Sequence, residues 1–285
     1  MFWLEYSSTF GIIKQGSWLR WEGARGRELS WNDIWRMEGH RIRFLLRSVY
    51  DVLPSPTNLQ TWGLTADPNC KLCERPANLE HVLSSCGVAL KDGRYTWRHD
   101  QVLKVIAGAI DVARKQDRRK QGKLSFINFC RAGEKKKGQA DKEQGLLATA
   151  NDWQLAADVH CQLKFPSEIA VTTSRPDIVI WSRGTKQVAM VELTVPWEER
   201  IEEAYERKRL KYQPLVDECI ERGWKTWCLP VEVGCRGFAG QSLWRAFRLL
   251  GITGMARKRA IADVCREAET ASRWVWMKRE ERWHC

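Results

Sequence analysis

No stretch of this 285-residue chain approaches the ~18 consecutive apolar residues that a membrane-crossing helix requires. The first twenty residues, MFWLEYSSTFGIIKQGSWLR, lack a basic start, an apolar segment and a small-residue cleavage site in that order, so no secretory signal is expected. Internal repeats are also missing, which removes the solenoid and propeller classes. Acidic residues are in deficit: 47 Lys and Arg against 35 Asp and Glu leave a formal charge of +12. That balance points to a polyanionic partner, nucleic acid before an acidic membrane surface. With no export signal, the ten cysteines read as thiols or metal ligands rather than a disulfide framework, and an intracellular protein is expected.

What is present can build a core. Apolar residues make up 44% of the chain, enough for two small domains or one large one. Tryptophan is over-used, at 16 residues, with Trp18, Trp21, Trp31, Trp35, Trp274, Trp276 and Trp283 near the two ends. These rings serve either helix packing or base stacking beside arginine. Residues 1–65 read as a helical region in which Ser30 caps WNDIWRMEGHRIRFLLRSVYDVL and Pro54 and Pro56 stop it. Residues 66–115 hold a cysteine-rich knuckle and a helix from Asp100 to Arg114. Residues 116–145 read as a charged linker, RAGEKKKGQADKEQG at its end. Residues 146–250 order as helix (Leu146 to about Cys161), hairpin, long helix (Pro196–Arg222), strand (Thr226–Val233) and a further helix. A basic, Trp-rich helix fills 251–285. The expected class is α+β: helices and a small metal knuckle, then a mixed α/β domain.

The knuckle is the more explicit motif. CKLCERPANLEHVLSSC sets Cys70, Cys73, His81 and Cys86 in a C-x2-C-x7-H-x4-C pattern. Two thiolates from a tight turn, with His and Cys from a short following helix, make a closed tetrahedral zinc site without an open position, hence a structural one. Asn78 is placed to cap that helix and Gly87 to end it. A redox C-x-x-C with incidental His and Cys is the alternative, against which stands the absence of a strand-then-helix setting. Cys130, Cys161, Cys219, Cys228, Cys235 and Cys265 show no ligand spacing and read as buried thiols.

SRPDIVIWSRGTKQVAMVELTVP, Ser174–Pro196, holds two apolar runs that each keep one acid. A two-residue turn at Gly184-Thr185 would pair residues whose numbers sum to 369, placing Asp177 opposite Glu192. Like charges directly opposed destabilise a sheet; a divalent cation held by both carboxylates would compensate, and oxygen ligands suit Mg²⁺ or Mn²⁺. On the following helix Ile201, Tyr205, Tyr212, Leu215 and Cys219 form an apolar stripe with Lys208 at its centre and Lys211 at its edge. An ammonium there would reach the acids. The bland alternative has Lys208 reaching outward and the acids serving a strand end and an arginine.

Arg175-Pro176-Asp177, fourteen residues, Glu192 in VELTVP and then AYERKRLKY together resemble the restriction-like endonuclease of non-LTR retrotransposons, a branch of the PD-(D/E)XK nucleases. In those polyproteins a reverse transcriptase is followed by helices, a CCHC knuckle and this endonuclease, an order matched here from about residue 30 to about residue 250. The usual lysine position is Thr194; the resemblance passes that role to Lys208, with Lys211 as rival. No Tyr-x-Asp-Asp polymerase motif is present. The resemblance implies a Mg²⁺-dependent DNA endonuclease, nuclear, that nicks target DNA to prime reverse transcription. Asp177 and Glu192 would hold the ion, with the Leu193 carbonyl as a further ligand and Asp152 or Asp158, on a preceding helix, as an additional acid. The knuckle and its basic flank (His40, Arg41, Arg43, Arg47), with Arg175, would contact nucleic acid: target DNA, and element RNA as a second candidate. Two alternatives stay open: a catalytically inactive retroelement-derived nucleic-acid-binding protein, and a zinc-stabilised interaction protein with a purely structural acid pair.

Overall fold

The computed structural model describes residues 21, 23–25, 31–121, 145–159, 163–281 and 283. Ser30, Trp18, Cys130, Cys161 and residues 122–144 of the charged linker lie outside them; residues 116–121, expected in that linker, are helical. The chain is α+β, with a four-stranded mixed sheet surrounded by helices. Helices α1 (Trp31–Arg36), α2 (Gly39–Val49) and α3 (Pro56–Thr61) come first. The single helix expected after Ser30 is thus broken at Met37 and Glu38, where Glu38 is extended. Pro56 opens α3 rather than ending a helix: Ser55 caps it by accepting from the Asn58 amide, and proline in the first turn lacks only a donor that would have no helical partner.

After the knuckle come α4 (Gly87–Lys91) and α5 (Arg94–Gln121). A short 3₁₀ turn, Leu146–Thr149, leads into strand β1 (Gln154–Ala157). The helix expected from Leu146 to Cys161 is therefore not formed; the four half-buried residues Gln154–Ala157 pair instead with the edge of β2 (Ile178–Ser182). β2 and β3 (Gln187–Thr194) are antiparallel, and β3 and β4 (Lys225–Glu232) parallel. The long helix α6 (Ile201–Glu221) makes the crossover that a parallel pair requires. Helices α7 (Gln241–Leu250) and α8 (Gly254–Met277) complete the chain.

The hairpin register has Ile178 opposite Val191 and Ser182 opposite Gln187, the sum of 369 that the sequence implies. The loop is longer than expected: four residues, Arg183–Lys186, rather than two, with Lys186 at φ 49°. Adding one residue on each side preserves the sum, so the faces are unchanged.

Both faces of β3 are covered, as its unbroken apolar run demands. Val179, Val188 and Met190 pack with Tyr212, Leu215 and Cys219 of α6. On the other face Ile178, Ile180, Ala189, Val191 and Leu193 join a core that continues through Leu103, Ile106 and Ile110 of α5, Phe247 of α7 and Val264 of α8, and reaches Leu79, Leu83, Cys70 and Cys86 of the knuckle. Each such aliphatic burial is worth roughly 1.5–3 kcal/mol. Gly251 ends α7 at φ 92°, and the Ile252 amide returns to the Phe247 carbonyl. A Cβ on Gly145 would come within 2.1 Å of the Gly251 Cα, so this close contact requires glycine.

Candidate active site and metal centre

The knuckle turns on Glu74, whose φ of 57° reverses the chain so that the Cys70 amide meets the Arg75 carbonyl at 2.8 Å. Asn78 accepts from the His81 amide at 2.8 Å, the capping role its position suggested. From His81 to Ser85 the chain makes a π-type turn, whose wider i→i+5 spacing brings His81 and Cys86 to one side. Gly87 does not stop a helix; extended Cys86 makes the break and Gly87 begins α4. Cys70, Cys73, His81 and Cys86 converge with their ligand atoms within 4.8 Å of one another. Cys73 Sγ lies 3.2 Å from His81 Nε2 and Cys70 Sγ 4.0 Å from Cys86 Sγ. These separations fit four ligands at ~2.0–2.3 Å from a common centre, so the cluster can bind a metal such as zinc. Burial pushes the Cys86 thiol up to about 11, and burial with the nearby Arg75 charge pulls His81 down.

The second site lies where β2, β3, α5 and α6 meet. Asp177, just before β2, donates its amide to Glu192 Oε2 at 3.2 Å and accepts the Leu193 amide on Oδ2 at 2.6 Å. Glu192 is 2% exposed. Lys208 reaches it from α6 and ion-pairs with Oε1; Lys211 Nζ stands 3.9 Å from the same oxygen and 3.1 Å from the Tyr212 hydroxyl. Tyr212 in turn donates to the Arg175 carbonyl at 2.9 Å, fixing the segment that carries Asp177. Burial and then the Asp177 charge raise the pKa of Glu192, against the pull of Lys208.

His99 was not anticipated as a site residue. From α5 its Nε2 lies 3.1 Å from Asp177 Oδ2 and its Nδ1 3.3 Å from Asp100 Oδ1. Burial works to lower its pKa, but hydrogen bonds to Asp100 and Asp177 and their charges outweigh this and hold it at about 9, so it is an imidazolium at neutral pH. A signal existed: His99 stands four residues before Leu103 and continues the buried line Leu103, Ile106, Ile110.

Asp152 and Asp158, expected on a helix, flank β1 instead. Asp152 binds the hairpin loop through Ser182 and the Gly184 amide. Asp158 accepts from the Leu163 amide and lies 3.4 Å from Arg175. Arg41 makes a two-bond pair with buried Glu269 of α8, at 2.8 and 3.1 Å, whereas Arg43, Arg47 and Arg175 are exposed. Cys219, Cys235 and Cys265 are buried thiols and Cys228 is half-buried. A scan of the sequence against protein-family models matched none, and a search of curated proteins also returned no match.

One buried arginine ties the two sites together, and a second lies nearby. Arg98 donates to the Leu83 carbonyl at 2.7 Å, to Ser272 Oγ at 3.1 Å and to the Val195 carbonyl at 3.1 Å. Arg236 pairs with fully buried Glu198 at 2.7 Å and lies 3.7 Å over the Trp197 ring. Glu232, paired with Thr194 across β3 and β4, is buried with Oε1 lacking a partner among the described residues, and Ser242 donates to its other oxygen.

Proposed function

We propose that the chain is the zinc-knuckle and restriction-like endonuclease region of a non-LTR retrotransposon polyprotein, and that it hydrolyses a DNA phosphodiester with Mg²⁺ or Mn²⁺ between Asp177 and Glu192. One observation carries the reading: Asp177, at the entry to β2, meets Glu192 on the neighbouring strand β3, and Lys208 from the crossover helix pairs with that Glu192 carboxylate. The donor set fits a hard divalent cation, since both side chains offer carboxylate oxygens and burial, with the Asp177 charge second, raises the Glu192 pKa. None of the contacts above uses Asp177 Oδ1. A bound ion would supply Lewis-acid polarisation of the phosphate and acidify the attacking water.

The remaining work falls to the side chains. Lys208 places an ammonium beside the site, where it stabilises charge developing on phosphate. His99, backed by Asp100, and the Leu193 amide hold Asp177 in one orientation. Arg175, exposed two residues before Asp177, is placed for a phosphate contact. The zinc knuckle is structural in this reading, and its basic flank retains Arg43 and Arg47 for nucleic acid. In the element's life cycle the product would be a nick in chromosomal DNA, made in the nucleus, from which reverse transcription is primed.

One observation favours a second reading, a catalytically silent nucleic-acid-binding protein. His99 and Lys208 already neutralise the two acids without a metal. Supercoiled-plasmid nicking by the zinc-loaded protein in Mg²⁺ and in Mn²⁺ decides between them. Metal-dependent nicking that Asp177→Ala abolishes supports the nuclease; DNA binding without nicking supports the silent form.

A further inference from the structure

We infer that the cleft between the α1–α2 junction and α8 binds single-stranded nucleic acid, at a surface separate from the hairpin acids. Helix α1 buries none of its residues. Its two indoles, Trp31 and Trp35, are 77% and 83% exposed and, four residues apart, share one face. Short helices normally owe their place to an apolar face packed on a core; here Ile34 is half-buried and both indoles of α1 face solvent.

Trp35 immediately precedes Arg36, and Arg36 opens onto a cleft of about 400 Å³ whose walls also carry His40, Arg41, Arg266 and Arg273. The acids nearby are paired: Glu38 with His40 at 2.9 Å, Glu269 with Arg41 at 2.8 Å, and Asp263 with Arg266. Arg36 and Arg273 line the same cleft outside these pairs. Along α8, Arg259, Arg266 and Arg273 recur every seven residues, about 10.5 Å apart at 1.5 Å per residue.

Guanidinium groups lining a cleft, with exposed indoles on the adjoining helix, offer both things an unpaired strand needs: cations for its phosphates and ring faces for its bases. The bases of a duplex are already stacked on one another and would leave both indoles without a partner. The charge complementarity therefore selects a nucleic acid, and the rings select a single strand.

The test is fluorescence-anisotropy titration of a labelled oligo-dT in buffer without added divalent metal, in the Asp177→Ala background. Binding read this way is indifferent to whether the chain cleaves DNA, so failure here and failure of the nuclease reading are distinguishable. Replacing Arg266 and Arg273 together by Gln should weaken binding about tenfold and flatten the slope of log K against log salt by about 1.4, at ~0.7 per lost phosphate contact. Replacing Trp31 and Trp35 by Ala should weaken binding at least about fivefold, leave the salt slope unchanged and remove the quenching of tryptophan fluorescence by the oligonucleotide. All these side chains are at least partly exposed, so zinc content and thermal midpoint should match those of the parent. Unchanged affinity and slope in both variants would overturn the proposal. So would equal competition by a blunt duplex, which would make this a duplex surface, or by polyglutamate, which would make it a docking face for acidic protein.

Discussion

His99 lies between two acids, 3.3 Å from Asp100 and 3.1 Å from Asp177, and so a single imidazolium joins helix α5 to the start of strand β2. His99→Ala would leave Asp100 and Asp177 facing each other without the cation between them. The loss should cost about 3 kcal/mol in urea unfolding, with His99→Gln, which retains a donor, losing less. Equal stability of the alanine variant would show that the bridge is incidental.

Lys208 and Lys211 both approach Glu192, but Lys208 makes the ion pair with 22% of its side chain exposed, while Lys211 stands 3.9 Å away and 55% exposed. On the nuclease reading, Lys208→Ala should lower plasmid nicking on the order of 100-fold, the scale of losing one charge-stabilising group. Lys211→Ala should lower it less than about tenfold. The reverse order would reassign the role to Lys211.

Metal removal should act on the whole fold rather than on the knuckle alone. Cys70 and Cys86 belong to the same core as Ile106 and Val191. Purified protein is expected to carry one zinc per chain by elemental analysis, and chelation should lower the thermal midpoint of the entire cooperative transition. Cys86→Ser should do the same without chelator. A transition unmoved by zinc loss would contradict the structural role.

Burial pushes Glu232 up to about 7, against the Ser242 hydrogen bond, from the 4.5 of a free glutamate. The folded protein therefore holds this proton more tightly than the unfolded chain. The associated stability is complete below about pH 4.5 and is lost as pH rises through about 7. Glu232→Gln, which keeps an acceptor for Ser242, should be more stable than wild type at pH 8 by about 2–3 kcal/mol and show a flatter stability profile between pH 5 and 8. Parallel profiles for the two proteins would refute this.

Reading these residues in sequence worked where one local rule decided the outcome. The cysteine spacing picked out the four residues that converge, and centring the turn on Gly184-Thr185 gave the hairpin register even though the loop proved longer, because the pairing depends on a sum that a symmetric extension preserves. Local rules failed where tertiary pairing prevailed. Leu146–Cys161 has apolar residues at helical spacing, but the free edge of β2 captures Gln154–Ala157 as a strand. Arg41 looks like a solvated base on a basic helix until Glu269, 228 residues away, is brought beside it. His99 and Asp100 looked like ordinary helix residues because their partner, Asp177, lies on a different element.

Arg98 gives the architecture a further consequence. Its guanidinium is shared between Leu83, inside the knuckle, and Val195, three residues beyond Glu192. In the sequence the two motifs resemble beads on a string, separable and exchangeable. In the folded protein they are not modules: transplanting either alone would strand a buried cation without its acceptors, so the two can be inherited, recombined or engineered only as a pair.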